Sequence, residues 1–213
     1  TTVDLIPKED LVVTISYAGY VKTQPVSLYQ AQHRGGRGKA ALLIKEQDFV
    51  EHLVVVSSHD TIMCFTSFGK VYWLSVFAIP QSGRIAKGKP IVNILSLDLN
   101  ERITAILPIP KSGYQKSHYI FMSTASGIVK KTPMLYFSRP RASGLIAIKL
   151  DEGDTLIGVR ITDGHQDIML FASNGLATRF KESDVRSIGR TARGVRGITL
   201  AMKVFVISLI IPK

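Results

Sequence analysis

One short pattern recurs four times in this sequence: a glycine followed within four residues by apolar residues and a cation. The glycines of the pattern are Gly19, Gly69, Gly127 and Gly175, which lie 50, 58 and 48 residues apart. A strand-like run of apolar and β-branched residues precedes each glycine, at positions 11–15, 61–65, 119–122 and 168–171. A strand, a tight turn at glycine and a second strand make a β-hairpin. The chain is therefore predicted to contain the same hairpin four times.

A second glycine follows the first at a nearly constant distance in each repeat. These glycines are Gly38, Gly88, Gly144 and Gly194, at 19, 19, 17 and 19 residues. Apolar runs follow them at 41–44, 91–95, 145–148 and 197–200, and again at 53–56, 103–107, 156–159 and 204–211. No window has the sustained i, i+3, i+4 apolar spacing of a helix, and four strands in about 50 residues is the size of a propeller blade.

These observations predict an all-β fold, a propeller-like radial repeat of four-stranded blades. We expect one domain over 1–213, with approximate repeats at 11–52, 53–102, 103–155 and 156–203 and the start of a fifth at 204–213.

The charge balance points to a polyanionic partner. The chain has 27 Lys and Arg against 16 Asp and Glu, a formal net charge of +11 and a pI near 9.8. Such a balance favours nucleic acid ahead of anionic lipid, the alternative being a soluble basic protein with no such partner.

Cysteine content and hydropathy predict a cytoplasmic protein. Cys64 lies in an apolar stretch and has no second cysteine to pair with, which favours a reducing compartment. The longest apolar run, 204–211, is too short to cross a bilayer. The amino terminus also lacks a basic region followed by an apolar core.

The segment that contains the second glycine of each repeat, here called the slot loop, is rich in cations. The slot loops are 32–39, 83–90, 138–144 and 189–196. Equivalent positions of a radial repeat lie on one rim, so their cations and those at the hairpin ends are expected to form a curved basic belt. The predicted rim residues are Arg84, Lys87, Lys89, Lys130, Lys131, Arg139, Arg141, Arg179, Lys181, Arg190, Arg193 and Arg196.

A curved belt of Lys and Arg without a base-reading helix suits the phosphate backbone of bent duplex DNA. It predicts weak sequence readout and a steep salt dependence, with a slope of about −0.9 for each neutralised phosphate. A second class of function fits the repeats alone: a propeller-type scaffold whose basic rim meets an acidic protein partner. Duplex titration across salt concentrations distinguishes the two.

The first slot loop is the most basic and the richest in glycine, and its cations and bare N–H groups would cradle an anion. Its first seven residues, here called the box, resemble the signature of the carboxy-terminal domain family of the DNA gyrase A subunit. That signature has glutamine, two basic residues, two glycines, a basic residue and glycine, and His33 stands at one of the basic positions. The stretches 4–14 and 19–22 resemble the entry into that family's first blade. The box with the cation after it is Gln32, His33, Arg34, Gly35, Gly36, Arg37, Gly38 and Lys39.

This resemblance covers nearly the whole chain and implies a six-bladed β-pinwheel whose blades exchange strands. Six blades at this period need about 300 residues, so we expect four blades and part of a fifth here. The implied role is non-catalytic: wrapping duplex DNA in a positive sense through the box and rim. The wrap supports negative supercoiling by a bacterial, cytoplasmic and nucleoid-associated A2B2 gyrase built from A and B subunits, with ATP and Mg2+ used elsewhere in the holoenzyme. The corresponding domain of topoisomerase IV is the alternative, but its box is typically degraded.

Other chemistries lack their sequence context. No Walker spacing accompanies the glycines of the box, and the five histidines lack metal-ligand spacing. The acidic turn at 151–154 lacks the full calcium-loop pattern, and no tyrosine has a base and a metal-carboxylate cluster near it in sequence. We therefore expect no catalytic residue, metal or cofactor in this domain.

Overall fold

The structure, a computed structural model, describes residues 2–34 and 48–213. Within them the chain forms fifteen β-strands, one α-helix and five short 3-10 helices, which confirms the predicted all-β class. The strands pair into four antiparallel sheets, and the chain divides into two compact units. The first unit is Thr1–Ile62 with Leu74–Leu97, and the second is Met63–Trp73 with Asp98–Lys213.

The first unit is organised around sheet A, in the order β3-β1-β2-β6. Residues 11–15 of β1 are all buried, which explains why this strand is a continuous apolar and β-branched run rather than an alternating one. The strands are β1 (Asp10–Ser16), β2 (Tyr20–Pro25), β3 (Val50–Ser57) and β6 (Lys89–Pro90). The 3-10 helices of this unit are Thr2–Leu5, Val76–Ala78 and Ile91–Asn93.

The α-helix, α1 (Val26–Arg34), was not predicted from the sequence. It follows β2 directly, where the other repeats have a 3-10 helix of three or four residues. Its few apolar residues form no stripe, and Leu28 is 54% exposed. The helix therefore lacks the i, i+3, i+4 signal by which amphipathic helices are found in a sequence.

The second unit holds most of three sheets: B in the order β10-β5-β4-β7, C in the order β11-β8-β9-β14, and D in the order β13-β12-β15. Sheet B consists of β4 (Thr61–Thr66), β5 (Lys70–Ser75), β7 (Ile103–Pro108) and β10 (Leu145–Ile146). Sheet C consists of β8 (Tyr119–Thr124), β9 (Ile128–Pro133), β11 (Leu156–Thr162) and β14 (Val195–Arg196). Sheet D consists of β12 (Asp167–Ala172), β13 (Ala177–Lys181) and β15 (Val206–Ile210). The 3-10 helices are Met134–Phe137 and Glu182–Asp184.

All four predicted hairpins are present, and each turns at its predicted glycine. The glycine N–H donates to the carbonyl three residues earlier, at 2.9, 3.0, 3.1 and 3.0 Å in chain order. All four glycines have a positive φ, between 77° and 95°. Because that backbone region strains other residues, the glycine period marks the turns directly.

Successive repeats exchange a short strand. β6, β10 and β14 each follow a second glycine and pair with the second hairpin strand of the preceding repeat. The N–H three residues after each second glycine then donates to the preceding repeat's first glycine: Ile91 to Gly19, Ala147 to Gly69 and Gly197 to Gly127, each at 2.8 Å.

Two of the exchanged strands lie two residues earlier than predicted. The chain forms a 3-10 helix rather than a strand at Ile91–Asn93, and no strand at 197–200. Each exchanged strand pairs with the hairpin strand that begins just after the glycine turn, and the pairing runs toward that turn. The residues after β6 and β14 therefore have no further strand residue opposite them.

Two apolar clusters fill the second unit. In one, the rings of Phe65 and Phe137 meet edge to face with centroids 6.1 Å apart. Leu145, which begins the exchanged strand β10, belongs to this cluster. The other contains Phe121, Val129 and Leu170. Packed residues thus anchor the strands from which the slot loops extend.

Among the described residues, no helix has the length and apolar character that a membrane crossing requires.

Candidate nucleic-acid interface

In the slot loops of the second and fourth repeats, the second glycine is required by the close approach of two backbones. At Gly194, φ is +103° and a Cβ atom would stand 2.5 Å from the carbonyl oxygen of Val129. At Gly88, φ is +93° and a Cβ atom would stand 2.4 Å from the carbonyl oxygen of Val21. Only glycine fits this position, so the loop leading to it lies against the hairpin of the preceding repeat.

In the first unit, the second repeat's slot loop presents three of the predicted rim cations. Lys87 and Lys89 are exposed and Arg84 is half-buried. The Lys87 ammonium lies 5.8 Å from the ring centroid of Tyr20. This loop therefore offers cations to a partner from a surface that also carries an aromatic ring.

In the second unit, the slot loops of the third and fourth repeats border one open groove of about 430 Å³. Arg139 and Arg141 are exposed and Arg190 is half-buried. The Nη1 of Arg190 donates to the carbonyl of Ile146 at 3.0 Å, which fixes its guanidinium against the exchanged strand β10. The groove is lined by Leu135, Tyr136, Ser138, Arg139, Arg141, Leu145, Arg190 and Thr191. Three guanidinium groups beside a groove suit phosphate oxygens, which arginine can bind in bidentate fashion.

Two of the exposed rim arginines have carboxylate partners. Arg193 donates to both carboxylate oxygens of Asp151, at 2.6 Å each, and Arg179 reaches Asp167 at 2.8 Å. The Arg193 guanidinium holds the pKa of Asp151 below its ordinary value, and the same pairing raises the pKa of Arg193. Each ion pair restrains the arginine side chain and partly neutralises its positive charge, so less of that charge is available to a phosphate. Lys181 and Arg196, also predicted for the rim, are exposed.

Lys130 and Lys131 correct the sequence prediction, because both lie inside the protein. Lys130 is 0% exposed, and its Nζ donates to the carbonyls of Ala147, at 2.6 Å, and Arg190. Lys131 is 6% exposed and donates to the carbonyl of Glu182 at 3.1 Å. Neither ammonium lies on a rim surface where a phosphate would meet it.

The box lies largely outside the described residues. Its first three residues end helix α1, which corrects the expectation of a loop at that point. The Gln32 side chain accepts a hydrogen bond from Gln24 Nε2 at 3.2 Å. Residues 35–39 are outside the described part of the chain, so their predicted contact with DNA stays a prediction.

Sequence reasoning missed two residues near the predicted surface. Tyr136 is 54% exposed and lines the groove, yet no motif distinguishes it. Lys22 is half-buried and its Nζ donates to three carbonyls of the next slot loop. Lys22 and Lys130 each stand three residues after a first glycine, and comparing that position between repeats would have found the pair.

Within residues 2–34 and 48–213, no three His, Cys, Asp or Glu side chains are grouped so that they could hold a metal ion. Burial raises the pKa of Cys64 to about 12, so its thiol is not a ready nucleophile.

A family model described as "DNA gyrase C-terminal domain, beta-propeller" matches residues 10–57, 60–110, 118–163 and 166–213. Each matched segment contains one of the four hairpins. The DNA gyrase A subunit of Klebsiella oxytoca is 56% identical over 210 residues, which is 99% of this chain and 24% of that protein. The Haemophilus influenzae counterpart is 57% identical over 199 residues, 93% of this chain and 22% of that protein. The chain thus spans about a quarter of the length of these relatives.

Two solved structures share the fold. The C-terminal domain of a DNA topoisomerase IV superposes with a TM-score of 0.78 at 28% identity, covering 98% of this chain and 63% of that one. A DNA gyrase A C-terminal domain superposes with a TM-score of 0.72 at 22% identity, covering 95% of this chain and 65% of that one.

Proposed function

This chain belongs to the family of DNA gyrase C-terminal domains with a β-propeller fold, and on that basis we propose that it binds duplex DNA. In this proposal the chain contacts the phosphates of the duplex and wraps it without reading its sequence. The supporting observation is the recurrence of exposed cations in the slot loops of the second, third and fourth repeats. Contacts from Lys and Arg to phosphates position a duplex but carry no sequence information. Bending the duplex costs deformation energy, which is offset only if the bend brings further phosphates into contact with further cations.

The proposed interface keeps the predicted rim cations other than the two interior lysines. The box and Lys39 are proposed as further contacts on the grounds of sequence alone. The rim residues of the proposal are Arg84, Lys87, Lys89, Arg139, Arg141, Arg179, Lys181, Arg190, Arg193 and Arg196.

We assign the domain to the A subunit of a bacterial DNA gyrase, a cytoplasmic, nucleoid-associated A2B2 enzyme that introduces negative supercoils. ATP and Mg2+ would serve other parts of that enzyme, and this domain is given no cofactor and no catalytic step. Gyrase is favoured over topoisomerase IV because gyrase A subunits of two bacteria are 56% and 57% identical to this chain over more than nine tenths of its length.

Duplex titration across salt concentrations tests the binding proposal. Two fluorescent duplexes of equal length and unrelated sequence should bind the 213-residue chain equally, with log K falling linearly as log salt rises. Failure to bind at low salt would favour the alternative of a scaffold for an acidic protein. A strong preference for one duplex would contradict binding through the backbone.

A further inference from the structure

Two slot loops have the same sequence pattern and the same turn. Residues 83–88 and 189–194 both read Gly-Arg-x-Ala, then a cation, then Gly. In each, the alanine N–H donates to the carbonyl of the first glycine: Ala86 to Gly83 and Ala192 to Gly189, both at 3.3 Å. The two loops belong to different units, so the shared turn arises twice.

Each of these loops receives a lysine from the preceding hairpin. Lys22 Nζ donates to the carbonyls of Gly83 at 3.4 Å, Arg84 at 3.1 Å and Ala86 at 3.1 Å. Lys130 Nζ donates to the carbonyl of Arg190 in the fourth repeat and to that of Ala147 after the third repeat's slot loop. An ammonium has three donors and no acceptor, so converging carbonyls satisfy it.

The third repeat is a natural comparison within the chain. Its slot loop lacks the Gly-Arg-x-Ala pattern, and the preceding hairpin has Tyr72 in place of the lysine. The Tyr72 hydroxyl donates to Glu101 Oε1 at 3.1 Å, and its ring packs against Gly144. The lysine thus accompanies the Gly-Arg-x-Ala loops and is absent where that loop is absent.

We propose that Lys22 and Lys130 are positioning residues, each holding the arginine-bearing slot loop of the next repeat in shape by donating to its backbone carbonyls. Both lysines act on the loop backbone, and the loop in turn presents its cations to a partner. The inference rests on the proposed function, since a fixed loop matters to binding only if its cations meet DNA.

Amide hydrogen exchange tests the positioning role without DNA. Removing the amino group in Lys130→Met should speed exchange of the Ala192 amide by about tenfold or more and leave the Ala86 amide unchanged, because a hydrogen bond to the backbone of the fourth repeat's slot loop is removed locally. Lys22→Met should do the reverse. Lys116→Met, at an exposed lysine outside the slot loops, should change neither amide.

Equal acceleration of both amides in either variant would show a general loss of stability and overturn the proposal. No change at Ala192 in Lys130→Met would also overturn it.

Duplex affinity then separates positioning from direct contact. Lys130→Met should weaken binding at least about threefold in the wild-type background and cause no further loss when Arg190 and Arg193 are already alanine. An equal loss in both backgrounds would mean that Lys130 acts independently of the loop, and the proposal would be wrong. If the wild-type chain does not bind DNA, the proposed function fails, while the exchange measurements still decide the positioning role.

Discussion

Gly194 lies so close to Val129 that a Cβ atom on it would stand 2.5 Å from the Val129 carbonyl oxygen, and its φ is +103°. An alanine there must take a strained backbone conformation and displace the paired strand. We predict that Gly194→Ala lowers the free energy of unfolding by about 3 kcal/mol or more, measured by urea denaturation. Gly189→Ala is the matched control, because nothing lies within 4 Å of a Cβ there. Similar losses in both variants would contradict the close approach as the cause.

Arg139 and Arg141 are exposed at the edge of the groove in the second unit. If each binds one phosphate, replacing both with alanine should flatten the slope of log K against log salt by about 0.9 for each phosphate that is no longer bound. The measurement is duplex affinity at a series of salt concentrations. Lys116→Ala, which removes an exposed cation away from the slot loops, should leave the slope unchanged. If the double variant keeps the wild-type slope, the two arginines bind no phosphate and do not belong to the interface.

We predict that Asp151 competes with DNA for Arg193, because its two carboxylate oxygens accept both guanidinium hydrogen bonds. Asp151→Asn should free that charge and tighten duplex binding at low salt by roughly twofold to fivefold. Glu152→Gln makes the same change of charge at the next residue, which is exposed, and tests whether net charge alone explains the effect. Equal gains from both variants would mean that the ion pair itself is irrelevant to binding.

Lys130 makes stability depend on pH. Burial, and then the nearby positive charge of Arg190, lowers its pKa from 10.5 to about 7. Between those values the unfolded chain holds a proton that the folded protein has released, so stability rises with pH, whereas below about pH 7 both states hold it.

We therefore expect wild-type protein to gain unfolding free energy relative to Lys130→Met as pH is raised from 7 to 9. The expected gain is up to about 1.4 kcal/mol per pH unit. Urea denaturation at each pH measures it, and a constant or shrinking difference would contradict the lowered pKa.

The glycine pattern made the hairpins predictable, because turn geometry at Gly19 and its equivalents leaves few other residues possible. The site was less predictable. Lys130 and Lys149 are both lysines in one repeat, but the first is buried and the second exposed. The Lys130 ammonium is held by the carbonyl of Arg190, 60 residues further on, and no local pattern reports such a contact.

Helix α1 was missed for a related reason. Its residues carry no apolar stripe, and only its place after β2, equivalent to the 3-10 helix Val76–Ala78 after β5, marks it as helical. Equivalent positions in different repeats were more informative than local periodicity for both the helix and the lysines.

A change in DNA topology tests the proposed wrapping most directly. Relaxed circular DNA is incubated with the 213-residue chain, closed with ligase and freed of protein, and its linking number is compared with that of DNA closed alone. Positive wrapping predicts a shift to higher linking number that grows with protein concentration. Circles whose linking number does not move, at concentrations where the chain covers the DNA, would contradict wrapping as its function.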